Sequence, residues 1–420
     1  MKILFCVFQA LLGGHVLSAS TVAREMQSCG HEVVFAGKEG RMSPIIAENI
    51  PFFPVEIPIY QGDRETYFTW SSLHAISELR SLIREQQVDL VHAFDARSYF
   101  HCYPAALLEG VPVLCTLCGG VDPYYNLPRA PKLIVFSEEQ KAKMVRQYRW
   151  EAGKVEVVRT RLDLGRIQAR EAKLDDDLMR QTRLISGVPK IMMISSFDDS
   201  KIASIYNALD AVESLLSGGR RVQAVFIGGK GPLHDQVKER AQKINAHFGI
   251  DSVVLTGPIV DAFRLLQVAT VVLGVGRSAF EGMVYGKPTI VVGRNGFAGV
   301  VAPEGIDEIA YYNFSGRNQG TQVPPTALAA EIAALLDDPG KAASAGDFGR
   351  DFVMREIDVK CGAARIEAIY RGMMAPSSMG SLFLNAASFI KSLVPIAYDN
   401  AAHRPKTYIK KLIRNARMAG

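Results

Sequence analysis

Strand-length apolar runs that end near glycine and lead into helix-period segments recur along this chain, and that recurrence constrains its fold more than any other feature. The first run, Lys2-Ile-Leu-Phe-Cys-Val-Phe8, is apolar at nearly every position, as a parallel strand covered on both faces must be. Gly13-Gly14 follows, then a helical segment over about 16–28, Gly30, and a second strand from Glu32 to Ala36, which completes a βαβ unit. The stripe Leu73, Ile76, Leu79, Leu82 and Ile83 predicts a helix before the strand Leu90 to Phe94. A helix over about 97–109 leads through Gly110 into the strand Val111 to Leu117. Lys132 to Phe136, a helix opened by Ser137-Glu-Glu139, and Val155 to Val158 close this half.

The second half starts near Lys190 and repeats the alternation. Its strands are Ile191 to Ser195, Ala224 to Ile227, Val253 to Leu255, Thr270 to Leu273 and Thr289 to Val292, with helices expected over about 203–216, 233–248, 260–267 and 278–285. Strands alternating with helices predict two doubly wound α/β domains facing a cleft. The 420 residues suffice for two full cores, and no 20–50-residue repeat points to a solenoid.

Charge matters through its position. The chain is +5 overall, but residues 401–420 carry Arg404, Lys406, Lys410, Lys411, Arg414 and Arg417 without an acid, so that tail is +6 and the rest is −1. A nearly neutral body gives no footprint for nucleic acid. Six scattered cysteines, with Cys115-x-x-Cys118 lacking a second pair, read as reduced thiols of a cytoplasmic protein and not as a zinc site. The apolar start is broken by Gln9 and Gly13-Gly14-His15 and continues as a helix, which fits strand–loop–helix and not a signal peptide. No run of 18 apolar residues predicts a membrane span. In the tail over 376–420, Leu382, Ala386, Phe389, Ile390, Leu393 and Ala397 recur at helical spacing, and Pro395 is expected to kink or end that helix. An apolar stripe followed by cations suits an anionic membrane surface through residues 382–417; the alternative is a helix docked on the first domain with a disordered basic end.

Two glycine loops lie where a parallel sheet places its ligand-facing turns. Gly13-Gly14 brings backbone N–H groups and a helix N-terminus close to a phosphate or sugar, and His15 beside it has the chemistry of a base or a hydrogen-bond donor. Gly274-Val-Gly-Arg-Ser-Ala-Phe-Glu281 puts the donors of Gly276 and Ser278 at a helix start, with Arg277 for phosphate charge and Glu281 one turn in for a ribose. Lys201, after the strand ending at Ser195, is a second phosphate candidate, and Gly229 marks a further glycine turn. His92 at a strand end is either a cleft residue or a satisfied core histidine. Nucleophile-elbow, zinc-protease and P-loop signatures do not occur.

Over roughly residues 1–372 the chain resembles the GT-B glycosyltransferases of family 4. The likeness rests on the Gly13-Gly14 loop, Val88-Asp-Leu-Val-His-Ala93, Val111-Pro-Val-Leu-Cys-Thr-Leu-Cys-Gly119 and Phe136-Ser-Glu-Glu139. It continues through Gly228-Gly-Lys-Gly-Pro-Leu233, Leu255-Thr-Gly257, Phe280-Glu-Gly-Met-Val-Tyr-Gly-Lys-Pro288 and Ile366-Glu-Ala-Ile-Tyr-Arg371. The resemblance implies a GT-B fold of two Rossmann-like domains: an acceptor domain over 1–165 and a nucleotide-sugar domain over 166–355. A helix over 356–375 would cross back to the first domain, ahead of the 376–420 tail. It further implies a cytoplasmic hexosyltransferase-type enzyme that needs no metal or other cofactor; on the membrane reading of its tail it would be peripheral on the inner face of a membrane. Its partners would be a nucleotide-sugar donor and a glycan or lipid-linked acceptor of cell-surface polysaccharide or glycolipid synthesis. Gly14, His15 and Glu281 would be catalytic; Gly13, Lys201, Gly229, Gly276, Arg277, Ser278 and Glu281 would hold the donor; His92, Cys118 and Gly119 would lie on the acceptor side.

Four positions depart from the family pattern. Leu273 stands eight before Glu281, where a second glutamate is usual; Ser196 replaces the arginine partner of Lys201; Cys118 replaces a histidine; and the hinge phrase begins at Thr160. Retention of anomeric configuration is expected over inversion, in which case His15 would be the base. A GT-B nucleotide-sugar epimerase and a degenerate, non-catalytic binding protein are the alternative functions.

Overall fold

The computed structural model describes every residue except 59–69, 120–122, 124–125, 160, 170–178, 181, 200, 230–232, 250, 260, 294–295, 319–323, 375–382 and 399–420. Thr160, Lys230 to Pro232, Leu382 and the basic stretch Arg404 to Arg417 therefore lie outside the described residues. The chain divides into two compact units, one of Met1–Phe136, Gln140–Arg161 and Ala363–Gly420, the other of Ser137–Glu139 and Leu162–Gly362.

The first unit is built on seven parallel strands in the order β3-β2-β1-β4-β5-β6-β7. They are β1 (Lys2–Gln9), β2 (Glu32–Lys38), β3 (Phe52–Pro54), β4 (Leu90–Ala93), β5 (Val113–Leu117), β6 (Leu133–Val135) and β7 (Val155–Val157). Ile3 to Val7 are wholly buried, which is why the first strand carries no alternation: Ile3 pairs with Val33 on one side and Leu90 on the other, and helices cover both faces. The order reverses between β1 and β4, so the loops after these two strands open where such sheets bind ligands. β3 and the short helix Ser43–Ala47 escaped the sequence reading. The helix Ser72–Glu85 buries Ala75, Ile76, Leu79, Leu82 and Ile83, but Leu73 is half exposed and falls outside the stripe.

Two late segments complete this core. From the helix Val359–Met373, Tyr370 reaches β4, where its hydroxyl meets His92 Nδ1 at 2.7 Å, while Thr116 Oγ1 meets Nε2 at 2.7 Å. A helix over 383–398 lays Phe389, Leu393 and Ile396 against the same core, with the Phe389 and Tyr103 rings stacked at 5.9 Å. Pro395 does not end that helix, which runs on to 398. Of the two places open to His92, it occupies the core one: it is fully buried, both ring nitrogens are partnered, and burial drives its pKa down to about 3.

This depression has a sign. Above an unfolded value near 6.5 neither state binds the proton; below it the unfolded chain does and the folded one does not until about 3. Stability supplied by neutral His92 is thus lost as pH falls through 6.5. Urea unfolding of the wild type is expected to lose about 1 kcal/mol between pH 6.5 and 5.5 from this residue. His101 and His15, also lowered chiefly by burial, add to the loss. A flat profile over that range would remove the assignment.

The second unit carries six strands in the order β10-β9-β8-β11-β12-β13. These are β8 (Lys190–Ser195), β9 (Gln223–Gly228), β10 (Val253–Leu255), β11 (Val271–Gly274), β12 (Thr289–Gly293) and β13 (Gly296–Val300). All pairs are parallel except β12 with β13, since a connection this short allows only a hairpin. The expected helix over 260–267 is a 3₁₀ segment, Ala262–Val268. The order again reverses, between β8 and β11.

Candidate functional site

In the second unit the candidate residues gather at the C-terminal ends of β8, β9 and β11, the strands on either side of the reversal. β9 ends at Gly228-Gly229, both left-handed in φ (+118° and +83°). A Cβ on Gly229 would sit 2.3 Å from the Phe197 ring, which is buried and stacked on His234 at 5.8 Å. His234 Nδ1 in turn meets the Gly229 carbonyl. The glycine thus exists because the turn passes directly over an aromatic pair. A cavity of about 890 Å³ beside it, between the helix His234–Phe248 and β10, shares His234 and is lined by Lys238, Asn245, Leu255 and Pro258.

β11 ends at Gly274, and Gly276 (φ +55°, ψ −118°) turns the chain into the helix Arg277–Val284. Its N–H donates to the Phe314 carbonyl at 2.8 Å, and the Val275 N–H donates to Ser278 Oγ at 3.1 Å. Phe280 makes the first intrahelical bond, to Gly276, so the earlier N–H groups of the helix have no acceptor within it. Arg277 Nε donates to Glu281 Oε1 at 2.9 Å. Glu281 is 8% exposed; burial raises its pKa, against the pull of Arg277, and the nearby Asp261 raises it further. Leu273, where the family places another glutamate, is fully buried inside β11 and cannot serve as a ligand group.

Lys201 caps the start of the helix Ile202–Ser217, just beyond β8. Its half-buried ammonium has no carboxylate within ion-pair distance among the described residues. Burial lowers its pKa; Asp198 opposes that and Arg317 adds to it. Arg317 is close enough to act on Lys201 and pairs with Glu139, one of the three residues 137–139 that group with this unit. Two cations thus stand near each other at the strand ends.

In the first unit, Gly13, Gly14 and His15 follow β1 and open the helix Gly14–Ser28. A Cβ on Gly14 would meet nothing within 4 Å, so the space above it is open. His15 stacks on Phe8 (5.8 Å, 5° between planes), and its buried Nε2 has no hydrogen-bond partner. Burial lowers its pKa while Asp95 opposes, which keeps the imidazole neutral at pH 7. Asp95, at the reversal point, accepts from the Phe8 N–H at 2.8 Å and caps its own helix through the Ser98 N–H at 2.7 Å. Arg97 lies over the other partner of His15, the Phe8 ring, at 5.0 Å. Cys118 and Gly119 follow β5. Burial pushes the Cys118 thiol well up, and its Sγ–H faces the Phe94 carbonyl at 3.8 Å, so it is no thiolate nucleophile.

The structure therefore brings together Gly229, Gly276, Arg277, Ser278, Glu281 and Lys201 at one sheet edge, and Gly13, Gly14, His15, Cys118 and Gly119 at the other, while His92 sits inside the first core. Asp95, Asp261, His234 and Arg317 were missed. Only Asp95 had a signal, an acid just after a strand and before a helix, the N-cap position. Among the described residues no group of three or more His, Cys, Asp or Glu is placed to hold a metal. The second-unit edge can bind a polyanion carrying hydroxyls; the first-unit edge offers a neutral imidazole beside open backbone.

Residues 12–166 match the family model described as Glycosyltransferase Family 4. No curated protein matches the chain in sequence. Among solved structures, a glycosyltransferase from Rickettsia africae is 18% identical, with 90% of this chain and 99% of that one covered and a TM-score of 0.70. Anabaena HepE in complex with UDP is 16% identical over 89% of this chain and 100% of its own, at 0.68. A putative UDP-N-acetylglucosamine 2-epimerase from Listeria monocytogenes is 12% identical over 90% and 97%, at 0.62.

Proposed function

Taking as premise that the fold is GT-B and that residues 12–166 are family-4-like, we propose that this protein is a glycosyltransferase. It moves a hexosyl group from a nucleotide-diphosphate-sugar, with a uridine diphosphate carrier the first choice, to a glycan or lipid-linked acceptor. The observation that carries this reading is Lys201, a half-buried ammonium with no carboxylate at ion-pair distance among the described residues, on which Asp198 acts only from farther off, next to the Glu139-paired cation Arg317. A charge left in that state needs an anion. The start of the helix Arg277–Val284, past Gly276, supplies its dipole and first-turn N–H groups for the same anion, and Glu281 a carboxylate for ribose hydroxyls.

In this reading Lys201, Arg277 and the helix start stabilise the diphosphate as its charge develops on leaving. Gly13-Gly14 and the neutral His15, whose buried Nε2 has no hydrogen-bond partner, serve the reaction centre. Retention is favoured over inversion. Leu11, Leu12 and Trp70, exposed in loops at the C-terminal edge of the first sheet, favour an acceptor with an apolar portion. Such an enzyme is cytoplasmic and peripheral, where nucleotide-sugars and a lipid-linked acceptor meet.

Thermal shift with UDP, GDP, ADP and CDP tests the donor site. A selective rise of about 5–10 °C is expected at 100 times Kd. Lys201→Met should lose that rise. It should also melt slightly higher than wild type without ligand, because a buried ammonium with a lowered pKa costs stability at every pH below that pKa. Absence of any shift in the wild type, or an undiminished shift in the variant, would sink the assignment. An epimerase, the reading suggested by the Listeria structure, would release nucleotide and an altered sugar without acceptor; acceptor-dependent release distinguishes transfer from it.

A further inference from the structure

The helix over 383–398 is apolar on both sides. Its inner seam is complete: Tyr103 Oη donates to the Asn385 carbonyl at 3.2 Å, the Arg129 N–H donates to Ser388 Oγ at 2.8 Å, and Phe389, Leu393 and Ile396 join the first core. A helix docked along one such stripe should show polar residues on the opposite face. This one shows Phe383, Leu384, Ile390, Val394 and Tyr398, each between 62% and 73% exposed. These are five of the fifteen large apolar side chains exposed in the described residues, gathered on one helix. Positions 383, 387, 390, 394 and 398 form a single stripe, and Lys391 is the one charged residue of the helix.

We propose that this outer face lies in the interface of an anionic lipid bilayer, and that the cations following it hold the headgroups. Charge selects the occupant. Within twenty residues of the helix the chain adds Arg404, Lys406, Lys410, Lys411, Arg414 and Arg417, with Asp399 the only acid after Tyr398. Six cations that follow an apolar face in sequence match an anionic membrane, and they disfavour pairing with a second copy of the same chain. Arg129, which anchors the helix, has its guanidinium over the Trp150 ring at 4.8 Å, and Arg146 and Arg149 nearby in sequence are exposed. One face of the helix is built into the first core, so the contact of the other face is in-plane. The proposal is independent of the transfer reaction, because its readout is vesicle binding and not turnover.

Full-length protein is co-sedimented with vesicles of phosphatidylcholine alone and with about 30% phosphatidylglycerol, at low and high salt. Pelleting with the anionic vesicles is expected, reduced by salt. Ile390→Asp with Val394→Asp, at exposed positions that leave the core untouched, should reduce it about tenfold or more. Lys410→Glu with Lys411→Glu should reduce it with the apolar face intact. Unchanged melting temperatures establish that both variants are folded. The proposal is overturned if wild type stays in solution with anionic vesicles, or if the Asp variant pellets as wild type does. Loss of a wild-type dimer in the Asp variant, without vesicle binding, would make the face a self-association surface and equally overturn it.

Discussion

Glu281→Ala is expected to lower kcat/KM for the nucleotide-sugar by about 10- to 100-fold, the worth of one or two hydrogen bonds to a charged group. Glu281 is buried, and burial alone favours its neutral form; Arg277 at 2.9 Å works to keep it ionised. A carboxylate held that way has one oxygen committed to Arg277 and presents the other to whatever enters beside the helix start. Removing it also takes from Arg277 the carboxylate at 2.9 Å, so a loss of activity in the alanine variant alone would be ambiguous. Glu281→Gln keeps the shape and a hydrogen bond to Arg277 while lowering acceptor strength. A glutamine variant that melts like wild type but turns over as poorly as alanine places the defect on the donor. If both variants retain wild-type turnover, Glu281 has no part in the reaction.

Gly229→Val is expected to abolish nucleotide binding and lower the melting temperature by about 4–20 °C. The φ of +83° disfavours any L side chain, by about 1–2 kcal/mol, and more when it is β-branched. The first carbon added would lie 2.3 Å from a ring that is 1% exposed and backed by His234, which adds about 1–3 kcal/mol of overpacking. At about 2–4 °C per kcal/mol for a unit of this size, the sum gives that range. Phe197→Leu in the same chain should restore part of the melting temperature by making room. If Gly229→Val melts and binds as wild type does, the turn does not pass over the aromatic pair as described.

Both sheets were legible because parallel strands covered on two faces are written as apolar runs, as Ile3 to Val7 and Val271 to Leu273 are, each bounded by glycine and a helix-period segment. The short edge strand β3 was not, since three residues, one of them Pro54, carry no period. Nor was the hairpin to β13, which carries Gly296 and Gly299 in five residues and is partly exposed from Phe297 to Val300. At the site, Gly229 and Gly276 were visible as glycines, but what demands them, a ring under one and a left-handed turn at the other, is set by residues distant in sequence. His92 shows the same limit: of the two residues that satisfy it, Tyr370 is 278 positions away. Asp261 and Arg317 act on Glu281 and Lys201 through space, and no spacing announces that.

The return of the chain to its first unit at Ala363 has a consequence for synthesis. All seven strands of that unit are made by Val157, yet Tyr370, Phe389 and Ile396 belong to the same core and emerge only after the whole second unit. At ribosomal speeds of about 5–20 residues per second, the interval from Arg161 to Ala363 is roughly 10–40 s. During it the nascent sheet holds His92 with Thr116 but without the Tyr370 hydroxyl, and leaves Tyr103 bare of the Phe389 ring. The second unit, by contrast, has every one of its strands before Ala363 emerges. Order of translation and order of completion are therefore reversed, and a premature stop just before Ala363 leaves the later-made unit whole and the first-made one unfinished.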